Sequence, residues 1–289
     1  FKQKTAYEIM PSLVGSEMCI RDRFGTDGWR GLIAQDFTFG NVSLCAQGLS
    51  DYLHEENLSH MGMIVGYDTR FGSKEFAECV SEILIGNGIS VYLSNKSCPT
   101  PVLSYNIPIR QTAGAVIITA SHNPALWNGF KYRSSNGGSA TEEITLRLEK
   151  AISKTQDNRV PRLKTKKPGR LIEIDPSEPY MEHIVSLVDL KSIRESNLGV
   201  IVDSMHGAAS GYIRSLIGDR CVLELRSECN PAFPGMARPE PIADNLLQLS
   251  RLILENQASI GIAFDGDGDR VGIVDENGQF VTTVTTFTS

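Results

Sequence analysis

Ala113-Gly114-Ala115-Val116-Ile117-Ile118-Thr119-Ala120-Ser121-His122-Asn123-Pro124 is the stretch from which the rest of the chain is read. The run Ala113 to Ile118 is apolar and ends in β-branched residues, so it reads as a buried strand. Asn123-Pro124 then turns the chain away from helix, because a residue before proline is driven out of the α region. Ser121 therefore stands at the end of a buried strand, in a short polar turn, held rigidly yet open to solvent. A nucleophile needs both properties. His122 follows directly, and Lys131 lies ten positions on. Taken alone, the same residues also describe an ordinary turn serine.

A second stretch tips the balance. Asp265-Gly266-Asp267-Gly268-Asp269-Arg270 alternates three carboxylates with glycines. Such a density of negative charge repels itself unless a cation sits among the acids. Oxygen ligands on a flexible loop suit Mg²⁺ or Ca²⁺ and do not suit zinc or copper. The bland alternative is a solvated acidic turn. An EF-hand is the sharper competitor: Asp265, Asp267 and Asp269 fall at its positions 1, 3 and 5, and Glu276 at position 12. However, Arg270 stands where that loop needs glycine. The flanks, Ser259 to Phe264 and Val271 to Val274, also read as strands where an EF-hand has helices.

Working outward, strand and helix signals alternate. Helical spacing runs over 37–55, 74–85, 141–153, 179–188, 208–217 and 246–256, with Pro99 and Pro101 opening a short helix near 100. Strands are predicted at 61–65, 89–93, 113–118, 198–202, 222–225 and 260–264. This alternation predicts an α/β fold of mostly parallel sheets covered by helices, with ligands beyond the carboxyl ends of strands, where Ser121 lies. The glycine-rich segment 24–31 reads as a loop, and Arg30 in it could fork onto a phosphate or be a plain surface arginine. His206 either faces the site or orders its own turn. The segment 155–170 is polar, basic and proline-containing, which reads as a linker or long exposed loop. Residues 1–23 show no apolar period and are similar to a translated sequencing adapter. They are expected to be a non-native or disordered tail without function.

Composition sets limits. The 289 residues are 41% apolar and 21% charged, enough for two cored domains. A formal charge of -6 gives no general case for nucleic acid. No apolar run is long enough for a transmembrane helix, so no membrane partner is expected. Cys19, Cys45, Cys79, Cys98, Cys221 and Cys229 are scattered without paired spacing, so they read as free thiols of a reducing, cytoplasmic compartment. Oligomeric state has no signature in the sequence.

A serine nucleophile, a hard-metal loop and the cations Arg30, Lys131 and Arg270 together suit phosphoryl transfer. Acyl transfer would require no metal, and no GxSxG is present.

At this point the chain from Phe24 onward resembles the α-D-phosphohexomutases, in the phosphoglucomutase/phosphomannomutase branch. The resemblance rests on FGTDGWRG at 24–31, GYDTR at 66–70, TASHNP at 119–124, NGFK at 128–131, PEP at 239–241 and DGDGDR at 265–270. It implies two mixed, mostly parallel α/β sandwich domains, 24–165 and 166–277, plus the first strand of a truncated third at 278–289. It implies that Ser121 carries the phosphoryl group, and that Asp265, Asp267 and Asp269 hold Mg²⁺ with a phosphoserine oxygen. Arg30, Lys131 and Arg270 would line the phosphosugar site, with His122 beside the phosphoserine and Lys131 moving protons. The implied activity interconverts hexose 1-phosphate and hexose 6-phosphate, with a hexose 1,6-bisphosphate as intermediate and activating donor. The FGTDGWRG and NGFK variants lean towards glucose or mannose over glucosamine. Because the family has four domains, the chain reads as an N-terminal piece expected to turn over substrate poorly or not at all. A catalytically silent module holding Mg²⁺ and a phosphorylated ligand is the alternative, and a calcium-binding protein a further one.

Overall fold

The computed structural model describes residues 28–157 and 167–281. The expected tail 1–23, the start of the glycine-rich segment, most of the linker and residues 282–289 lie outside the described residues.

The first sheet contains β1 (Trp29–Leu32), β2 (Met63–Tyr67), β3 (Val91–Ser94), β4 (Gly114–Ile118), β5 (Trp127–Ser134) and β6 (Leu171–Ile174). Their spatial order is β1-β5-β4-β2-β3-β6. The run β4, β2, β3, β6 is parallel, while β5 and β1 are antiparallel. Every residue of β2 and β4 is buried, as a strand covered on both faces requires. Successive side chains point to opposite faces. Met63, Val65, Val116 and Ile118 pack under α1 (Phe39–Glu55), α2 (Ser73–Gly86) and α4 (Glu142–Asp157). Ile64, Ala115 and Ile117 pack under α3 (Thr100–Arg110). Helix α1 begins where the Thr38 side chain accepts from the Asn41 amide. Helix α3 begins with proline in its first turn.

The second sheet contains β7 (Val200–Asp203), β8 (Cys221–Leu225), β9 (Ile260–Phe264), β10 (Val271–Val274) and β11 (Phe280–Val281), in the order β11-β10-β9-β7-β8. One face is covered by α8 (Ala243–Asn256). The other meets α5 (Ser177–Leu187), α6 (Leu190–Glu195) and α7 (Tyr212–Ile217). Strands β9 and β10 form an antiparallel hairpin whose tip is the acidic loop. Strands on both sides of that loop exclude the EF-hand. The fold is thus α/β with two mixed sheets, parallel at their centres.

Four expectations are corrected. From Trp29 onward the glycine-rich segment is strand β1, paired with β5. Arg30 and Gly31 at its centre break the apolar pattern by which a strand is read. The edge is anchored by buried Trp29, stacked on Phe37 with ring centroids 5.0 Å apart. Strand β6 follows residue 165 but completes the first sheet beside β3, so a division at 165/166 does not coincide with the sheets. The helix read over 208–217 begins only at Tyr212. Ahead of it Met205, His206 and Gly211 all have positive φ, which no α-helix tolerates. Short α6 was not expected. Cys45, Cys79, Cys98, Cys221 and Cys229 are free thiols. Among the described residues no helix is long and apolar enough to cross a membrane.

Helices α1 and α4 pack tightly at Gly48, where an added Cβ would lie 2.7 Å from Ile152 Cα and 2.8 Å from its nitrogen. Alanine gains about 1 kcal/mol of helix propensity over glycine, but a clash with backbone costs about 1–3 kcal/mol. Gly48→Ala should therefore lower the urea midpoint of the first unit despite its better propensity. A raised midpoint would mean that α1 and α4 are not seated this closely.

Candidate active site

Strands β2 and β4 are parallel neighbours, so the loops after them emerge at the same sheet end. Asp68 follows β2 and Thr119 follows β4. The Thr119 hydroxyl donates to Asp68 Oδ2 at 2.6 Å and accepts from the Ser121 amide at 2.9 Å. Ser121 itself has φ +51, a left-handed conformation uncommon for a residue with a Cβ. Arg30, on β1, donates to Asn123 Oδ1 at 2.6 Å and so secures the far side of the turn. Gly129 on β5 passes so close that a Cβ there would lie 2.4 Å from the Thr119 carbonyl oxygen.

Ser121 is not open to solvent as its turn suggested. Only 2% of it is exposed, because the acidic loop of the second unit closes over it. Ser121 Oγ donates to Asp265 Oδ2 at 2.8 Å across the seam. The closure requires Gly266, where a Cβ would lie 2.6 Å from the Ser121 carbonyl oxygen.

Asp265 and Asp267 are fully buried, whereas Asp269 and Arg270 are exposed. The three aspartates each offer a carboxylate oxygen, and these oxygens lie within 4.8 Å of one another. Asp265 Oδ1 accepts from the amides of Asp269 and Arg270, each at 3.0 Å, which curls the loop on itself. Asp267 Oδ2 accepts from Thr100 Oγ1 at 2.7 Å and Lys131 Nζ at 3.2 Å. Lys131, 1% exposed on β5, reaches Asp269 Oδ2 at 3.2 Å as well. Asp267 Oδ1 is buried with no hydrogen-bond partner. A buried carboxylate oxygen without a donor costs several kcal/mol in principle. An orphaned hard oxygen amid three carboxylates fits a divalent cation such as Mg²⁺ or Ca²⁺.

The acids are electrostatically unequal. Burial, then Asp267 and Asp269, hold the Asp265 carboxyl well above the usual carboxylate range. Burial also raises Asp267, but Lys131 and the Thr100 hydroxyl outweigh it and bring Asp267 to about 2. His122 Nδ1 lies 3.3 Å from Ser121 Oγ. Burial, followed by the charge of Arg270, lowers the pKa of this imidazole, which favours its neutral form.

The structure thus brings Ser121, His122, Lys131, Asp265, Asp267 and Asp269 together, with Arg30 one contact away through Asn123. Arg270 stands apart: its guanidinium is turned to Glu240 Oε1 at 2.6 Å, on the proline-rich loop. His206 does not bond within its own turn: its ring Nδ1 lies 2.8 Å from the Glu228 carbonyl, beyond β8, and its carbonyl accepts from Thr69 of the first unit at 2.9 Å. Sequence reading missed Thr100, whose hydroxyl and amide both bond Asp267. Proline in the first turn marks the helix start there, but nothing local marks a contact 167 positions away. Arg70 is marked in the sequence only by its GYDTR motif, yet it lies buried beneath the serine turn.

Comparison with known proteins gives concordant matches. Residues 21–159 match the family described as Phosphoglucomutase/phosphomannomutase, alpha/beta/alpha domain I, and residues 178–278 match its domain II. A protein of Pyrococcus abyssi named "Probable phosphoglucosamine mutase" is 32% identical over 89% of this chain and 54% of its own length. A Thermococcus kodakarensis protein named phosphoglucomutase/phosphomannomutase is 29% identical over 89% of this chain and 56% of its own. A crystal structure from Thermus thermophilus, described as a phosphomannomutase, superposes with a TM-score of 0.80 at 33% identity, covering 90% of this chain and 58% of that one. The chain therefore spans about half the length of the relatives it matches.

A metal held by these carboxylates competes with protons. Because the Asp265 pKa is raised, its proton must leave before a cation is fully ligated, so affinity should rise with pH beyond the range where ordinary aspartates have ionised. In calorimetric titrations, Mg²⁺ should bind at least about tenfold more weakly at about pH 5 than at about pH 8. Asp267→Asn should abolish the binding. An affinity independent of pH would contradict the arrangement.

Proposed function

The chain belongs to the phosphoglucomutase/phosphomannomutase family, and on that premise we propose that it is the part of a phosphohexomutase that carries the phosphoryl-bearing serine and its metal loop. The observation that carries the reading is the 2.8 Å hydrogen bond from Ser121 Oγ to Asp265 Oδ2, which joins serine and carboxylates in one buried site. The substrate is a hexose phosphate, and the activity interconverts its 1- and 6-phosphates through a hexose 1,6-bisphosphate that also serves as activating donor.

In the forward half-reaction the bond between phosphorus and Ser121 Oγ breaks, a bond from phosphorus to a sugar hydroxyl oxygen forms, and the proton lost by that hydroxyl is balanced by the one that Ser121 Oγ takes up as it leaves. Lys131, which stands between Asp267 and Asp269, is the group we assign to proton movement at the sugar. In the return half-reaction Ser121 Oγ attacks the other phosphate of the reoriented bisphosphate and loses its own proton, while the bond from that phosphorus to its sugar oxygen breaks and the sugar oxygen takes up a proton. Two acceptors are within reach of it, Asp265 Oδ2 and, at 3.3 Å, His122 Nδ1. Asp265, Asp267 and Asp269, with an oxygen of Ser121, would hold Mg²⁺, which when bound neutralises phosphoryl oxygens. Arg30 supports the serine turn through Asn123 and would fork onto the incoming phosphate. Arg270 would join the phosphate site by exchanging its Glu240 partner for substrate.

Relatives named as phosphoglucosamine mutase and as phosphoglucomutase/phosphomannomutase stand side by side. These names support glucosamine alongside glucose and mannose as the proposed sugar, and give the lean towards the latter two no support. With about half the length of its relatives, the chain is expected to accept a phosphoryl group while turning over hexose phosphate poorly.

The test is to incubate the chain, and a longer protein that contains it, with Mg²⁺ and glucose 1,6-bisphosphate, and to read intact mass. Ser121 should gain one phosphoryl group, and Ser121→Ala should gain none. Label that persists in Ser121→Ala would sink the assignment. Tight binding of metal and phosphosugar without any label in either protein would instead establish a silent binding module.

A further inference from the structure

Arg70 closes the GYDTR stretch just after β2, and its side chain is wholly covered. Its two terminal nitrogens each bond two carbonyls. Nη2 donates to the carbonyl oxygens of Ser121 at 2.5 Å and Asn123 at 2.7 Å. Nη1 donates to those of Pro124 at 2.9 Å and Trp127 at 3.1 Å. Nε makes no hydrogen bond but lies 3.2 Å from Asp68 Oδ2, as an ion pair. The carboxylate of Asp68 is itself fixed, accepting at Oδ1 from the Arg70 amide and the Ser73 hydroxyl, and at Oδ2 from Thr119.

The pair therefore grips Ser121 from both sides. Asp68 reaches its amide through Thr119 Oγ1, and Arg70 takes its carbonyl. Left-handed backbone is unfavourable for a residue with a Cβ and persists only where the surroundings over-determine it. The second unit joins in from above: the Phe233 ring, on the proline-rich loop, covers the guanidinium with its centroid 5.0 Å from Cζ.

We propose that Arg70 is the positioning residue of the site: it holds Ser121 in the left-handed turn that aims Oγ at the acidic loop, and Phe233 makes that aim depend on the seating of the second unit. The assignment rests on the reading that Ser121 carries the phosphoryl group. Lysine cannot substitute, because a single ammonium with three donors cannot span the four carbonyls and the carboxylate that a planar guanidinium spans.

The experiment compares wild type, Arg70→Lys, Arg70→Ala and Phe233→Leu, measuring three things in each. These are the rate of Ser121 labelling from glucose 1,6-bisphosphate, Mg²⁺ affinity, and amide hydrogen exchange over 119–127. A misplacement of about 1 Å costs on the order of 100-fold in rate. Arg70→Lys should slow labelling by about that factor and speed exchange in the turn, with Mg²⁺ affinity within about threefold. Methylguanidine should restore labelling at least about tenfold in Arg70→Ala, which a general packing defect would not allow. Should the Arg70 variants fail to fold, Phe233→Leu carries the test, with slower labelling and faster turn exchange expected. Labelling within about threefold of wild type in Arg70→Lys, or unchanged exchange in the turn of every folded variant, overturns the proposal. A wild type that takes no label, while Arg70→Lys or Phe233→Leu still loosens the turn, overturns the proposed reaction and leaves the positioning role standing.

Discussion

Two fully buried carboxylates, Asp265 and Asp267, lie at the seam between two sheets, and the rest of the structure answers to them. Buried charge is costly unless it is paired and hydrogen-bonded. The first unit supplies what the carboxylates need. Lys131 and Thr100 satisfy one oxygen of Asp267, and Ser121 donates to Asp265. Because donors and acceptors come from different sheets, the two units are set against each other by the same contacts that assemble the site. What protein atoms leave unmet, the elevated Asp265 and the orphaned Asp267 Oδ1, is what a cation or a proton supplies.

Each group arrives at this seam on a rigid element. Lys131 and Arg30 sit on antiparallel strands β5 and β1, Thr100 on the first turn of α3, and the aspartates on a hairpin tip. The serine turn is the exception, being loop and conformationally strained. That is why so many polar groups gather beneath it: Thr119, Asp68, Arg70 and Arg30 all bond to it or to one another. Preorganisation of this kind suits phosphoryl transfer, where catalysis is mostly positioning and electrostatic stabilisation.

Close approach of backbone to backbone explains two glycines that composition alone leaves unremarkable. Gly266 lies where the two units cross, and Gly129 where strand meets turn. Any side chain there would lift the acidic loop from the serine, or the serine turn from the sheet. The alternating glycines of the acidic loop therefore serve contact as well as flexibility.

Much of this was legible in the residues. The apolar run ending at Ile118 and the spacing of Asp265, Asp267 and Asp269 place a serine turn and a hard-cation loop at strand ends, since period and charge density are local properties. The strand–helix alternation likewise announces two α/β units. Strands β1, β5 and β6 escaped because Arg30-Gly31, Asn128-Gly129 and Glu173 interrupt their apolar residues, and their pairing is decided by which sheet edge lies open. That Ser121 is covered, that Arg270 turns to Glu240, and that Arg70 grips four carbonyls were decided only in three dimensions. Those contacts join residues up to 144 positions apart, and a hydrogen bond leaves no trace in the spacing of the groups that make it.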